Sequence, residues 1–337
     1  MFKHLILQAF KHLLVLIIII FSTGCNGAGH VSGQTSSAIT PAPQGAPKLV
    51  EVSPGVHTVE GRLAGFDPGN SSVEFHLPAG SPGPLVLLIH GGGGATDNRN
   101  IMAALRDAGI AVLSFDAYRM NGFDRPSGFW VRNMTYEARQ RMIYTTALAA
   151  YRWAMTQPGL DTRRIHIYGL SNGADVAANL AAVVDPAHVV TVFAEGAAGA
   201  GLGLPDRLAV PLRMIFGRLD NYAGQHAEDW RWQRSVPCRL NRAWPEAPPG
   251  NAAMCNAGTA PAGRTQSPGG WAEEQRQRGA DVDLWFYEGG AHGIFLGPLR
   301  QQTMAWASGT MHASVGAEET TRQRLLADIL ARIVAAR

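Results

Sequence analysis

The chain has 337 residues, 46% of them hydrophobic and only 16% charged, which is enough to bury a sizeable core and fits one large α/β domain. With 39 Gly and 20 Pro it reads as a loop-rich globular protein, which excludes a filament or a coiled coil. The formal charge is +3, and without Lys3 and Lys11 near the start 27 basic residues face 26 acidic ones, a balance that argues against nucleic acid as the main partner.

Residues 1–24 place Lys3, His4, Lys11 and His12 ahead of an apolar run from Leu13 to Phe21 and end in small residues, the layout of a secretory signal. The run is well short of the roughly 20 residues that span a bilayer. Ser22-Thr23-Gly24-Cys25 resembles a lipoprotein cleavage box, with Ser22 where such boxes usually carry Leu. Lipidation at Cys25 is therefore expected, with ordinary secretion as the alternative, and a lipid anchor would be the only link to a membrane. Residues 25–48 are rich in Gly, Ser, Thr, Ala and Pro and read as a flexible tether.

From Leu49 onward, in a single domain read as 49–337, strand-like runs alternate with helix-like ones. Strands are predicted at Leu49 to Val52, Ser72 to His76, Leu85 to Ile89, Ile110 to Phe115, Ile165 to Tyr168, Val189 to Ala194, Leu212 to Phe216 and Asp283 to Tyr287. Several are unbroken apolar runs, as parallel strands buried on both faces require. Helices are predicted at Asn100 to Ala108, Tyr136 to Met155, Ala174 to Val184 and Glu318 to Ala336, the last with an apolar stripe from Leu325 to Val334 suited to docking on a sheet. The alternation predicts an α/β three-layer sandwich with a mostly parallel sheet.

Residues 225–275 interrupt the rhythm. They hold Trp230, Trp232, Trp244 and Trp271, half of the eight tryptophans, together with Cys238 and Cys255. In an exported chain whose third cysteine is taken by lipid, this even pair is expected to form a disulfide. The segment reads as an insertion, either a lid or lobe beside the site or a lobe whose tryptophans form their own small core. No Cys or His spacing fits zinc, and neither metal nor cofactor is expected.

The chemistry centres on Gly169-Leu170-Ser171-Asn172-Gly173, a G-x-S-x-G between a predicted strand and a predicted helix, the setting that gives this motif meaning. Serine needs a base to take its proton. His292, in the Gly-rich stretch Glu288 to Phe295 after the last strand, is the natural candidate over His90, His166 and His226. The base needs an acid to fix its tautomer, and Asp220 after the strand ending at Phe216 gives the chain order Ser, Asp, His, with Asp116, Glu195 and Glu288 as rivals. His90-Gly91-Gly92-Gly93-Gly94 follows another strand. Backbone amides there, Gly92 and Gly93 foremost, are expected to join Asn172 as an oxyanion hole; a phosphate site is disfavoured because neither GxGxxG nor a P-loop Lys is present. Tyr118, Phe129, Trp130 and Tyr222 lie in or near loops at strand ends and are candidates to line the substrate pocket.

The segments LVLLIHGGGG, AVLSFDAYRMNGFDRP, RIHIYGLSNGADVAANLA, MIFGRLDNY and YEGGAHGIF resemble the dienelactone hydrolase family of the α/β-hydrolase superfamily over roughly residues 82–336. The founding members use a cysteine nucleophile where this chain has Ser171. The resemblance implies attack of Ser171 on an ester or lactone carbonyl, an acyl-enzyme, and hydrolysis by water that His292 activates, with a small-molecule substrate. A serine peptidase of the prolyl-oligopeptidase type and an inactive surface-tethered binding protein are the alternatives.

Overall fold

The structure, a computed structural model, describes residues 47–53, 56–80, 82–123, 134–199, 202–222, 268–306 and 309–335. Seven strands form the central sheet: β3 (Glu74–His76), β4 (Gly83–Ile89), β5 (Ala111–Ser114), β6 (Leu160–Leu170), β7 (Val189–Glu195), β8 (Leu212–Gly217) and β9 (Val282–Tyr287). Their order is β3-β5-β4-β6-β7-β8-β9. β3 runs antiparallel to β5, and every other neighbouring pair is parallel.

Side chains alternate across the sheet with the period of two that a strand imposes. Leu85, Leu87 and Ile89 enter one apolar cluster, and Val86 and Leu88 enter the other. The first face is covered by α3 (Tyr136–Ala154), α4 (Asn172–Leu180) and α5 (Pro268–Gln277). The second is covered by α1 (Arg99–Asp107) and α6 (Glu319–Ala335), through Ile101, Met102 and Leu105 and through Leu325, Ile329 and Ile333. The strand-like runs lack polar alternation because both faces are buried, and the result is the three-layer sandwich expected. A short helix, α2 (Ala117–Met120), follows β5.

The chain leaves β4 toward β5 on one side and then returns to β6 on the other. That reversal makes the carboxyl ends of β4 and β6 the topological switch point, the place where open α/β sheets bind ligands. The glycine run follows β4, and Ser171 follows β6.

Three features differ from the sequence expectation. The strand predicted at Leu49 to Val52 exists as β1 (Lys48–Ser53), but it pairs with β2 (Val56–Glu60) in a separate two-stranded ribbon. Helix α5 begins inside 225–275, and Trp271 is buried in the main core with its indole N–H on the Pro205 carbonyl at 2.8 Å. That tryptophan serves the sandwich rather than a lobe of its own. An unexpected hairpin, β10 (Arg300–Trp306) with β11 (Gly309–Val315), follows the His292 loop. The signal stretch, Cys25, Phe129, Trp130, the tryptophans at 230, 232 and 244, and the Cys238 and Cys255 pair lie outside the described residues.

Candidate active site

Ser171 sits at φ 55° and ψ −117°, the one non-glycine residue with positive φ among the described residues. Such a conformation costs on the order of 1–3 kcal/mol and persists only where the surroundings over-determine it. They do so here. The Ser171 N–H donates to the Glu195 carbonyl at 2.8 Å, and the Ser171 carbonyl accepts from Ala174 and Asp175 at 2.8 and 3.2 Å. A Cβ on Gly169 would lie 2.0 Å from the Gly173 carbonyl oxygen, and one on Gly173 would lie 2.3 Å from that of Ile89. The turn is thus closed by backbone meeting backbone, which is why glycine flanks the serine on both sides. Asn172 is the first residue of α4, where a backbone N–H has no partner within the helix and the helix end carries partial positive charge.

The elbow helix is held in turn by Asp175. One of its carboxylate oxygens accepts the N–H groups of Ala198 and Gly199 at 2.9 and 2.8 Å, and the other accepts the Gln140 side chain at 2.8 Å.

Asp220 and His292 come together from the turns after β8 and β9. The imidazole Nδ1 lies 3.0 Å from Asp220 Oδ2, and both side chains are buried. The other carboxylate oxygen of Asp220 accepts the Tyr222 N–H at 2.9 Å. The two turns are also bonded to each other, with the Leu219 N–H on the Gly290 carbonyl at 2.8 Å. A Cβ on Gly217 would lie 2.3 Å from the Gly290 carbonyl carbon, so only glycine permits this approach. Burial opposes an imidazolium at His292, but the charge and hydrogen bond of Asp220, with Glu195 and Asp97 beyond, outweigh it and raise the His292 pKa above its ordinary 6.5. With Nδ1–H in that hydrogen bond, the neutral imidazole carries its lone pair on Nε2.

The rival residues are accounted for elsewhere. His90 uses both ring nitrogens within the fold, Nε2 accepting the Ala117 N–H at 3.0 Å and Nδ1 donating to the Gly91 carbonyl at 2.7 Å. His166 is fully buried in β6, where burial and then Arg164 push its pKa down to about 4. Asp116 caps α2, accepting from Tyr118 and Arg119 at 3.1 and 3.2 Å. Glu288 is exposed and paired with Arg218 at 2.5 Å. His226 lies outside the described residues.

The glycine run curls over Ser171. A Cβ on Gly91 would lie 3.3 Å from the Ser171 Cβ. The Gly93 N–H is already donated to Asp97 at 2.7 Å, a bond that fixes the loop's shape and withdraws that amide from the role expected of it. Of the amides expected from the sequence, those of Gly92, next to Gly91 in the loop that meets Ser171, and of Asn172, at the start of α4, remain as candidates. Asp97 itself was not singled out in the sequence. The signal available was an acid four residues past Gly93 in a polar turn, the spacing at which a short acidic side chain reaches back to backbone amides. Of the predicted pocket residues, Tyr222 stacks on His292. Tyr118 is buried against His90, with ring centroids 5.1 Å apart.

Residues 73–233 match the model of the dienelactone hydrolase family. Two uncharacterized proteins from strains of Mycobacterium tuberculosis are each 33% identical over 162 residues, which is 47% of this chain and 49% of theirs. The chain therefore spans about half the length of the curated relatives it matches. Among solved structures, dienelactone hydrolase from Anabaena variabilis aligns with 14% identity and a TM-score of 0.42, covering 85% of this chain and 96% of that one. Esterase 2 of Thermogutta terrifontis, phosphonylated by cyclosarin, aligns with 14% identity and a TM-score of 0.44, covering 86% and 92%. The family match takes in the serine elbow and Asp220, and across residues 73–233 the chain is similar to the dienelactone hydrolase family.

Proposed function

We propose that the protein is an exported serine hydrolase that cleaves a carboxylic ester or lactone through Ser171, His292 and Asp220. The observation that carries this reading is the pairing of a strained Ser171 elbow with a buried His292–Asp220 hydrogen bond, both beyond the carboxyl ends of parallel strands of one sheet. Asp220 holds the Nδ1 proton, so Nε2 takes the Ser171 hydroxyl proton as Oγ bonds to the substrate carbonyl carbon. The carbonyl oxygen becomes an oxyanion that the N–H groups of Gly92 and Asn172 receive, and removing one such donor typically costs about 3 kcal/mol of transition-state stabilisation. Collapse breaks the ester C–O bond, and His292 returns the proton to the departing alkoxide. Water then attacks the acyl-enzyme with His292 again as base, which releases the acid and restores Ser171.

The same reading takes residues 1–24 as removed on export, with lipid on Cys25 and a disulfide between Cys238 and Cys255. The mass of the mature protein, measured with and without reduction, checks all three.

The direct test is intact mass after treatment with a fluorophosphonate probe, followed by a panel of esters and lactones. One adduct that is lost in Ser171→Ala, together with turnover of at least one ester class, is the expected outcome. A folded protein that takes no adduct and turns over no ester overturns the proposal.

A further inference from the structure

Glu195 ends β7 and is buried, and the two halves of the candidate site meet on it. Its backbone carbonyl receives the Ser171 N–H. Its carboxylate turns toward the histidine side. One oxygen accepts the backbone N–H of Ile294, two residues beyond His292, and the other accepts the hydroxyl of Tyr168, three residues before Ser171 on β6. Gly196 then carries the chain past the imidazole, where a Cβ would stand 3.1 Å from His292 Cε1. Asp220 already satisfies Nδ1, so the triad as described makes no use of Glu195. A carboxylate withdrawn from water costs several kcal/mol unless charge and hydrogen bonds compensate it. An apolar strand end would avoid that cost.

We propose that Glu195 is a positioning residue, which clamps the His292 loop to the strand bearing Ser171 and supports the imidazolium with a second carboxylate behind Asp220. The role rests on the serine hydrolase reading, because it matters to turnover only if His292 is the base. The titratable groups that face Glu195 are Tyr168 from β6, Tyr287 from β9, Asp220 from the turn after β8 and His292 from its loop. Burial raises the Glu195 pKa to about 7, with the Ile294 N–H and His292 drawing it down and Asp220 pushing it up. It therefore gains or loses charge in the range where His292 works.

The test follows the imidazole of His292 by NMR titration in the full chain, beside the pH profile of kcat/KM. In Glu195→Gln the amide oxygen still receives the Ile294 N–H, but the charge is gone. The His292 pKa is expected to fall by roughly one unit. The acidic limb of kcat/KM should move down with it, and KM should hold within about twofold. Tyr168→Phe, which removes a donor from the carboxylate and so weakens its ionisation, moves both readouts the same way by less, and it stands in if Glu195→Gln does not fold. An unchanged His292 pKa in the folded variant overturns the proposal. Absence of ester turnover in the wild-type protein would overturn the hydrolase reading alone, since the titration needs no substrate.

Discussion

The phenol ring of Tyr222 lies face to face with the imidazole of His292, centroids 4.0 Å apart and planes 23° from parallel. One side of the imidazole is thereby fixed by an aromatic wall, while Asp220 fixes its edge. Burial, with Tyr136, raises the Tyr222 phenol above its ordinary value against the pull of Arg139, so the ring stays neutral. Tyr222→Phe retains the stack and is expected to keep kcat within about twofold, whereas Tyr222→Ala frees the imidazole and lowers kcat about tenfold with less effect on KM. Steady-state kinetics of the two variants check this. Equal losses in both would show that the hydroxyl, and not the stack, matters.

The pH dependence follows from the sign of the His292 shift. His292 must be neutral to act as base, and its pKa is raised, so the acidic limb of kcat/KM is expected above pH 6.5. Asp220→Asn removes the main anion that supports the imidazolium. The limb should then move to lower pH, and kcat should fall by about 10⁴-fold as the tautomer is lost. A limb that rises in Asp220→Asn would contradict the assignment.

The glycines near Ser171 divide by what a methyl group would strike. At Gly173 it meets the Ile89 and His90 carbonyl oxygens at 2.3 and 2.5 Å, backbone that the sheet cannot move. Gly173→Ala is expected to cost on the order of 3 kcal/mol and to abolish turnover. At Gly93 the obstacle is the Asp97 carboxylate at 2.0 Å, a side chain able to swing away. Gly93→Ala should therefore cost about 1 kcal/mol or less, yet still slow turnover, because the bond that shapes the loop is broken. Asp97→Ala should reproduce that slowing. Thermal melts beside kcat separate the two classes, and a wild-type rate in Asp97→Ala would remove the loop bond from the mechanism.

His166 offers a stability test away from the site. Neither ring nitrogen has a hydrogen-bond partner among the described residues, and the pKa is depressed to about 4. The folded state therefore binds fewer protons here than the unfolded chain between about pH 4 and 6.5. Stability from this group is present above 6.5 and is lost as pH falls through that window. His166→Leu removes the penalty and is expected to gain about 2 kcal/mol at pH 5 relative to its effect at pH 8. Glu195, raised to about 7, acts with the opposite sign between about 4.5 and 7, so the wild-type profile should be flatter than either variant alone. Urea melts at pH 5 and pH 8 measure the difference; equal shifts at both would show that the histidine does not titrate as described.

Much of the fold and the site was legible because the residues involved are constrained locally. Leu85 to Ile89 and Leu212 to Phe216 stand out because parallel strands are buried on both sides, and the serine turn stands out because two glycines are forced by sterics. Other features depend on partners distant in the chain. β10 and β11, with Arg300, Gln301, Gln302 and Thr303 on one strand and Thr310 and His312 on the other, lack the long unbroken apolar run of the core strands. Asp97 looks like any acid in a polar turn until Gly93 is seen to bind it. Glu195 invites comparison with Asp220 as a triad acid, and only the fold shows that its carboxylate faces Tyr168 and Ile294. Trp271 reads as part of an insertion until α5 is seen to pack on the sheet.

The hairpin also governs how His292 is suspended. The His292 N–H and carbonyl are bonded to the Ser314 carbonyl and the Gly316 N–H at 3.2 and 2.9 Å, and the Asn221 side chain accepts the Ser314 N–H at 2.7 Å. The segment carrying His292 and the turn carrying Asp220 thus hang from one common rung, formed by residues more than twenty positions downstream in the chain from His292. Because both are bonded to Ser314, a displacement of that rung would be expected to carry both side chains together. Their mutual distance would then hold while their reach toward Ser171 changed, so mechanical slack at the hairpin would be expected to slow turnover while leaving the His292–Asp220 bond intact.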